Sequence, residues 1–254
     1  LTSLSAAFAG APGIAVGNVL GSNIANILLI LGVAALLSPI RADAAPMEDR
    51  VWLAAATALG IGVIVVGATV GRVEGSILLA ALAVYIWRAL TRDSGGEAVP
   101  VIPDMGVGRM LLFLGGGLVA LIGGAWLLVE GATGIAQAFG VSETVIGLTV
   151  VAVGTSLPEL ATSVAAARKG EAELALGNVL GSNVFNLLAI LGLTAAIVPI
   201  PVPPGLSPVD LLVVAATAAV LLLVLLLGRI GRGAGAAFVV AYAGYVAWLA
   251  VMGG

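Results

Sequence analysis

The sequence predicts an all-α fold, a polytopic bundle of transmembrane helices made of two inverted-topology repeats. Three observations lead to it. Of 254 residues, 61% are hydrophobic and 9% charged, with a mean hydropathy of +1.22; a soluble domain carries about 25% charged residues. Apolar stretches close to the roughly 20 residues needed to cross a bilayer recur between short polar breaks. One stretch of sequence also occurs twice, at a constant offset of 160 residues.

The apolar stretches are 14–37, 51–70, 76–90, 110–132, 142–167, 172–198, 210–228 and 234–252, which makes eight helices. The third is short and is expected to extend a residue or two at each end. An apolar stub, 1–9, comes first. It has neither an initiator Met nor a charged leader region, so it is not a signal peptide; it reads as the last turns of a further helix. The 36 Gly and 5% aromatic content suit closely packed helices better than an aromatic-girdled barrel. With no Cys and no His, disulfide frameworks, thiol nucleophiles, Ser-His-Asp triads and the usual zinc ligand sets are excluded. No enzyme and no cofactor are expected. The net charge of −3 gives no sign of a nucleic-acid partner; the partner is the lipid bilayer.

The basic residues divide the loops. Arg41, Arg50, Arg88, Arg92, Arg109, Arg168, Lys169, Arg229 and Arg232 fall on one side of the predicted topology, and Arg72 alone on the other. The positive-inside rule puts the larger set in the cytoplasm and the C-terminus outside, in the cell membrane. The polar stretch 92–108 is then a cytoplasmic linker between a first half, 1–91, and a second half, 109–254.

Residues 2–32 align without gaps to 162–192, with 18 of 31 positions identical. Gly17-Asn18-Val19-Leu20-Gly21-Ser22-Asn23 recurs as Gly177-Asn178-Val179-Leu180-Gly181-Ser182-Asn183, and Asn26 matches Asn186. The repeats extend over about 1–40 and 145–200. The first copy runs toward the Arg-rich side and the second away from it, so their topology is inverted. This architecture is characteristic of secondary transporters, whose sites lie at the midplane where the repeats meet.

One carboxylate, Glu159, falls deep inside a predicted helix, where burial costs at least about 2.5–3.5 kcal/mol. It needs a cation, a proton or a buried network. It ends the run Gly154-Thr155-Ser156-Leu157-Pro158-Glu159. Pro158 takes the donor from the Gly154 carbonyl, and helical spacing places Thr155, Ser156 and Glu159 on one face. Carbonyls, hydroxyls and a carboxylate are hard ligands suited to Ca2+ and Na+. Asn178, Ser182 and Asn186 step by four along the next helix, as Asn18, Ser22 and Asn26 do in the first repeat. For Asn18 and Asn178, interhelical hydrogen bonding stays open as an alternative role. Gly177 and Gly181 read as a helix-packing pair. Asn23 and Asn183 lie about 100° off the stripe and read as packing residues. Glu130, Glu143 and Asp210 read as solvated acids near helix ends.

The paired motifs resemble the α-repeats of the calcium/cation antiporter superfamily, which includes sodium/calcium exchangers. Residues 154–159 with 177–183 are similar to its second α-repeat, and 14–40 to the later part of its first. The resemblance implies ten helices in two inverted halves around four central ion sites, with the present chain running from the end of the second helix to the tenth. It implies Glu159 as a central cation ligand, joined by Thr155, Ser156, Ser182, the Ala152 carbonyl and Asn186, and by Ser22 and Asn26 from the first repeat. Some members have Asp where this chain has Asn186, which lowers the negative charge here. The offset places the partner of Glu159 two residues before Leu1, where a matching motif ending in Glu is expected in the parent sequence.

The expected function is secondary antiport of Ca2+ against Na+ by alternating access. H+ or K+ as the coupling ion, a cation channel, a non-transporting scaffold and an inactive fragment remain as alternatives.

Overall fold

The computed structural model describes residues 2–41, 45–92 and 107–252. The expected cytoplasmic linker therefore lies outside the described residues except at its ends. The chain opens with α1 (Thr2–Phe8) and α2 (Pro12–Ile24), which continues through a π-helical segment, π1 (Ala25–Leu31), into α3 (Gly32–Leu37). Then follow α4 (Met47–Val66), α5 (Arg72–Thr91) and α6 (Val107–Ala138). The second repeat starts with α7 (Glu143–Ile146), π2 (Gly147–Val151), α8 (Ala152–Thr155) and α9 (Leu157–Arg168). It continues through α10 (Ala172–Phe185), π3 (Asn186–Ile190) and α11 (Leu191–Ile197), and α12 (Pro208–Leu226) and α13 (Arg232–Met252) complete the described chain. Among the described residues six helical spans are long and apolar enough to cross a membrane, and a bent pair adds a seventh. The protein is an integral membrane protein of the all-α class.

Each of the eight predicted stretches is helical, with displaced ends. The second begins at Met47 instead of residue 51, and the third at Arg72 instead of residue 76. In both, acidic residues that look like loop punctuation form the first turn: Glu48 and Asp49 in α4, and Glu74 in α5, whose carboxylate accepts the Gly71 N–H at 2.9 Å. Acids are favoured there by the helix dipole.

Among the described residues, four two-residue strands, too short to leave a periodicity in the sequence, join the halves. β1 (Ile40–Arg41) pairs antiparallel with β4 (Arg229–Ile230), and β2 (Thr69–Val70) with β3 (Ile200–Pro201). Adding 160 to β1 gives β3, and to β2 gives β4, so the two ladders exchange under the repeat operation. Ile40 lies opposite Ile230, and Val70 opposite Ile200. The glycines obey the same rule. A Cβ on Gly75 would lie 2.7 Å from the Gly192 carbonyl oxygen, and one on Gly235 2.7 Å from that of Gly32. Hydrogen bonds repeat as well: Asn18 Nδ2 donates to Ser3 Oγ at 2.7 Å, and Asn178 Nδ2 to Ser163 Oγ at 3.3 Å. The pseudo-two-fold thus governs packing well beyond the stretch of obvious identity.

Burial separates the central spans from the outer ones. Most of the span Pro12–Leu37 is buried and lies at the centre, whereas in Arg72–Thr91 only Gly75 and Leu78 are buried and the apolar surface points outward, where lipid would meet it. One polar clasp ties α4 to α5 at their Arg-rich ends. Arg88 Nε donates to Glu48 Oε1 at 2.8 Å, and Arg92 Nη2 to Asp49 Oδ1 at 2.8 Å and Glu48 Oε2 at 3.1 Å. Asp49, then Glu48, holds the Arg92 guanidinium charged above its usual range.

Asp210 corrects an expectation. It reads as a solvated end residue in the sequence, yet it is 2% exposed. One oxygen accepts the Ser207 N–H at 2.9 Å, closing a capping box, and the other accepts the Tyr245 hydroxyl at 3.0 Å. Its partner comes from α13, 35 residues further on, so local sequence could not signal it. Glu143 is exposed in the first turn of α7, as expected; Glu130 is exposed too, but α6 runs on to Ala138, so it lies inside the helix and not near its end.

Candidate functional site

The site is organised by a break in the second repeat. The helix predicted over 142–167, with its turn disturbed at Pro158, stops at Thr155, and α9 leaves Ser156 at 46° to the preceding segment. Pro158, in the first turn of α9, has no N–H to give, and its ring crowds the turn before it; Ser156 answers with φ −95° and ψ 4°. The break corrects the expectation that Thr155 and Glu159 share one helical face, because they stand on separate segments. Glu159 is instead in the first turn of α9, where the positive end of the helix dipole favours its carboxylate. The Ala152 and Val153 carbonyls of α8 both accept the Ser156 N–H at the break, at 3.1 Å each.

Glu159 lines a cleft of about 420 Å³ together with Gly177, Asn178, Gly181, Ser182, Phe185, Asn186 and Ile190. Glu159, Ser182 and Asn186, three of the residues singled out in the sequence, therefore share one cavity. Among the described residues, a Cβ on Gly177 or Gly181 would meet nothing within 4 Å, and both glycines line the cleft. Their counterparts behave as helix-packing residues: a Cβ on Gly17 would lie 2.8 Å from the Thr144 carbonyl oxygen, and one on Gly21 would strike that of Leu148.

A second cluster holds Ser22, Ala152 and Thr155. Ser22 Oγ donates to the Ala152 carbonyl at 3.4 Å and lies 3.3 Å from Thr155 Oγ1. Thr155 Oγ1 donates to Asn18 Oδ1 at 2.7 Å. The Ala152 carbonyl also receives the Ser156 N–H at 3.1 Å. Ser156 is 5% exposed at the break itself. Asn18, on the polar stripe, thus ties α1 to the end of α8.

Asn26 takes a third arrangement. It is buried in π1, and its amide nitrogen donates to Asn183 Oδ1 at 3.0 Å. Asn186 opens π3 at the position related by 160 residues. Such π-helical segments are uncommon and concentrate at functional sites. Asn183, read as a packing residue from its angle on the helix, makes a polar contact across the repeats; its stripe position alone could not show this.

The unsatisfied atoms mark the chemistry. Among the described residues, the buried side-chain oxygens without a hydrogen-bond partner include Glu159 Oε2 and Asn26 Oδ1. A buried acceptor left unpaired costs about 1–3 kcal/mol, more for a charged group. Both atoms are hard donors that a cation would satisfy, and π1, which carries Asn26, packs against α9, which carries Glu159.

Comparisons with known proteins agree on one family. The family model described as sodium/calcium exchanger protein matches residues 1–91 and 109–251. The putative antiporter CaxA of Alkalimonas amylolytica is 38% identical over 96% of this chain and 81% of its own length. The sodium/calcium exchanger MaX1 of Methanosarcina acetivorans is 31% identical over 79% of this chain and 69% of its own. A solved structure of the sodium-calcium exchanger NCX_Mj, soaked with 2.5 mM Na+ and 10 mM Sr2+, matches with a TM-score of 0.74 at 33% identity, over 97% of this chain and 80% of that one.

Proposed function

The chain belongs to the sodium/calcium exchanger protein family, and from that premise we propose that it exchanges Ca2+ for Na+ across the bilayer by alternating access. Its relatives are exchangers rather than enzymes. The observation that carries the reading is the Glu159 carboxylate, which has a buried oxygen without a partner beside a broken helix, on the wall of a cleft it shares with Ser182 and Asn186.

In this reading Glu159 supplies the charge for the ion. Ser182 and Asn186 surround it from α10 and π3. Thr155, Ser156 and the Ala152 carbonyl contribute from the break, and Ser22 and Asn26 from the first repeat. A carboxylate in a dry site is costly without a cation, so the empty carrier resists crossing between its two states. That cost is a physical basis for exchange over leak. Overlapping ligands make Ca2+ and Na+ exclude one another, and two inverted halves, 1–91 and 109–254 joined by 92–108, supply two related conformations.

Na+ is favoured as the coupling ion because hydroxyl and amide oxygens bind Na+ as hard ligands but do not titrate near neutral pH. Among the described residues assigned to the site, a proton would have Glu159 alone. The relatives MaX1 and NCX_Mj are both described as exchangers of sodium and calcium. The nine-to-one split of basic residues supports a cytoplasmic linker and an outside C-terminus in the cell membrane.

The test is uptake of radiolabelled Ca2+ into proteoliposomes under an imposed Na+, K+ or H+ gradient. Uptake that follows the Na+ gradient and stops when it is collapsed is expected. Uptake driven by the H+ gradient alone would transfer the coupling to protons, and gradient-independent flux would remove exchange altogether.

A further inference from the structure

Asn26 and Glu159 each leave one buried oxygen without a partner, and for Asn26 the choice of atom is not automatic. A carboxamide has nearly the same shape after a half-turn about its last bond, but a half-turn replaces the oxygen with an NH2 group. One end attracts a cation and the other repels it. Something must choose between them.

The choice is made by a relay across the two repeats. It begins at the Asn23 backbone carbonyl, which can only accept a hydrogen bond. Asn183 Nδ2 donates to it at 3.5 Å, so Asn183 turns its Oδ1 the other way. That oxygen, also acceptor-only, receives Asn26 Nδ2 at 3.0 Å. Asn26 Oδ1 is what remains, buried and unpartnered. Turning the Asn26 carboxamide over would place oxygen against oxygen at Asn183 and leave a buried N–H without an acceptor. Asn183 is 0% exposed and Asn26 1%, so no solvent competes for either group. The counterpart of Asn183 in the first repeat, Asn23, donates its own amide to Val19 O at 2.7 Å; the aim is therefore set for Asn26 from the second repeat.

We propose that Asn183 is a positioning residue for cation binding, which holds Asn26 with its carbonyl oxygen toward the ion. The proposal rests on the reading of Asn26 as a ligand. Asn183 itself does not touch the ion; it acts through the orientation of its neighbour.

The experiment is a double-mutant cycle read as the Ca2+ dissociation constant, by calorimetry on the purified full chain. Asn183→Leu removes the acceptor and is expected to weaken Ca2+ binding about tenfold, the equivalent of about 1.4 kcal/mol. In an Asn26→Asp background, where either face of the side chain offers oxygen, the same change is expected to weaken binding less than twofold. A packing role would cost the same factor in both backgrounds, and that outcome overturns the proposal. Asn183→Ser, too short to reach Asn26, takes the place of Asn183→Leu if the latter does not yield folded protein. Asn26→Leu separates the two levels. Unchanged Ca2+ affinity in that variant removes Asn26 as a ligand. Weakened affinity there, with Asn183→Leu unchanged, removes only the relay.

Discussion

Gly75 of α5 meets Gly192 of α11 so closely that a Cβ on the first would lie 2.7 Å from the carbonyl oxygen of the second. Gly235 meets Gly32 at the same distance on the other side of the pseudo-two-fold. In a bilayer, lipid tails remove most of the hydrophobic reason for helices to associate, so backbone proximity at small residues carries more of the packing. These two contacts fasten the peripheral helix of each half to the central helix of the other.

Gly75→Leu and Gly235→Leu are therefore expected to destabilise the fold by about 1–3 kcal/mol each through overpacking. Gly116→Leu, at a position with nothing within 4 Å, should be close to neutral. Thermal unfolding in detergent, with size-exclusion profiles, checks the contrast. Equal melting temperatures for Gly75→Leu and Gly116→Leu would show that the close approach is not structural.

The repeat, its inversion and the isolated carboxylate were legible because each leaves a mark in one dimension: identity at a fixed offset, asymmetric Arg placement, a charge in an apolar run. What was not legible depends on partners distant in sequence. Asp210 looks solvated until Tyr245 arrives from another helix. Asn183 looks like packing until Asn26 crosses from the other repeat. Gly177 and Gly181 carry the same motif as Gly17 and Gly21, yet among the described residues one pair packs against α7 and π2 and the other borders the cleft, a difference the motif itself does not carry. The helix break is a middle case. Pro158 announces a disturbed turn, but the 46° bend and the shift of Glu159 to a helix start need the tertiary surroundings.

Glu159→Gln keeps the shape of the side chain and removes its charge. It is expected to lower Ca2+ exchange at least about a hundredfold, since charge-assisted ligation at a buried ion is worth several kcal/mol, while the protein stays folded. Glu159→Asp, one methylene shorter, should retain partial activity. Proteoliposome uptake measures both. Near-normal exchange by Glu159→Gln would take the carboxylate out of the transport cycle.

Asp210 and Tyr245 should matter for stability and not for ion binding. Tyr245→Phe leaves one oxygen of a buried carboxylate without its donor, at a cost of about 1.5–3 kcal/mol. Asp210→Ala also loses the Ser207 cap and should cost more. Both are expected to lower the melting temperature while leaving the Ca2+ dissociation constant within about twofold. A large loss of Ca2+ affinity in Tyr245→Phe would connect this pair to the ion site.

Asn186 tests how charge sets the ion preference. It shares the cleft with Glu159 and Ser182 but brings no charge, so Glu159 is the one carboxylate among the described lining residues. A second negative charge attracts a divalent ion about twice as strongly as a monovalent one at equal distance, by Coulomb's law. Asn186→Asp is thus expected to raise Ca2+ affinity by about tenfold, with a smaller gain for Na+, and to shift competition curves so that more Na+ is needed to displace Ca2+. Ser182→Ala, on the same wall, removes a neutral oxygen and should weaken both ions by similar factors. The measurement is Na+ displacement of bound Ca2+ in the two variants. If Asn186→Asp leaves the ratio of Ca2+ to Na+ affinity unchanged, residue 186 is too remote from the ion to set selectivity, and the cleft wall would have to be assigned to Glu159 and Ser182 alone.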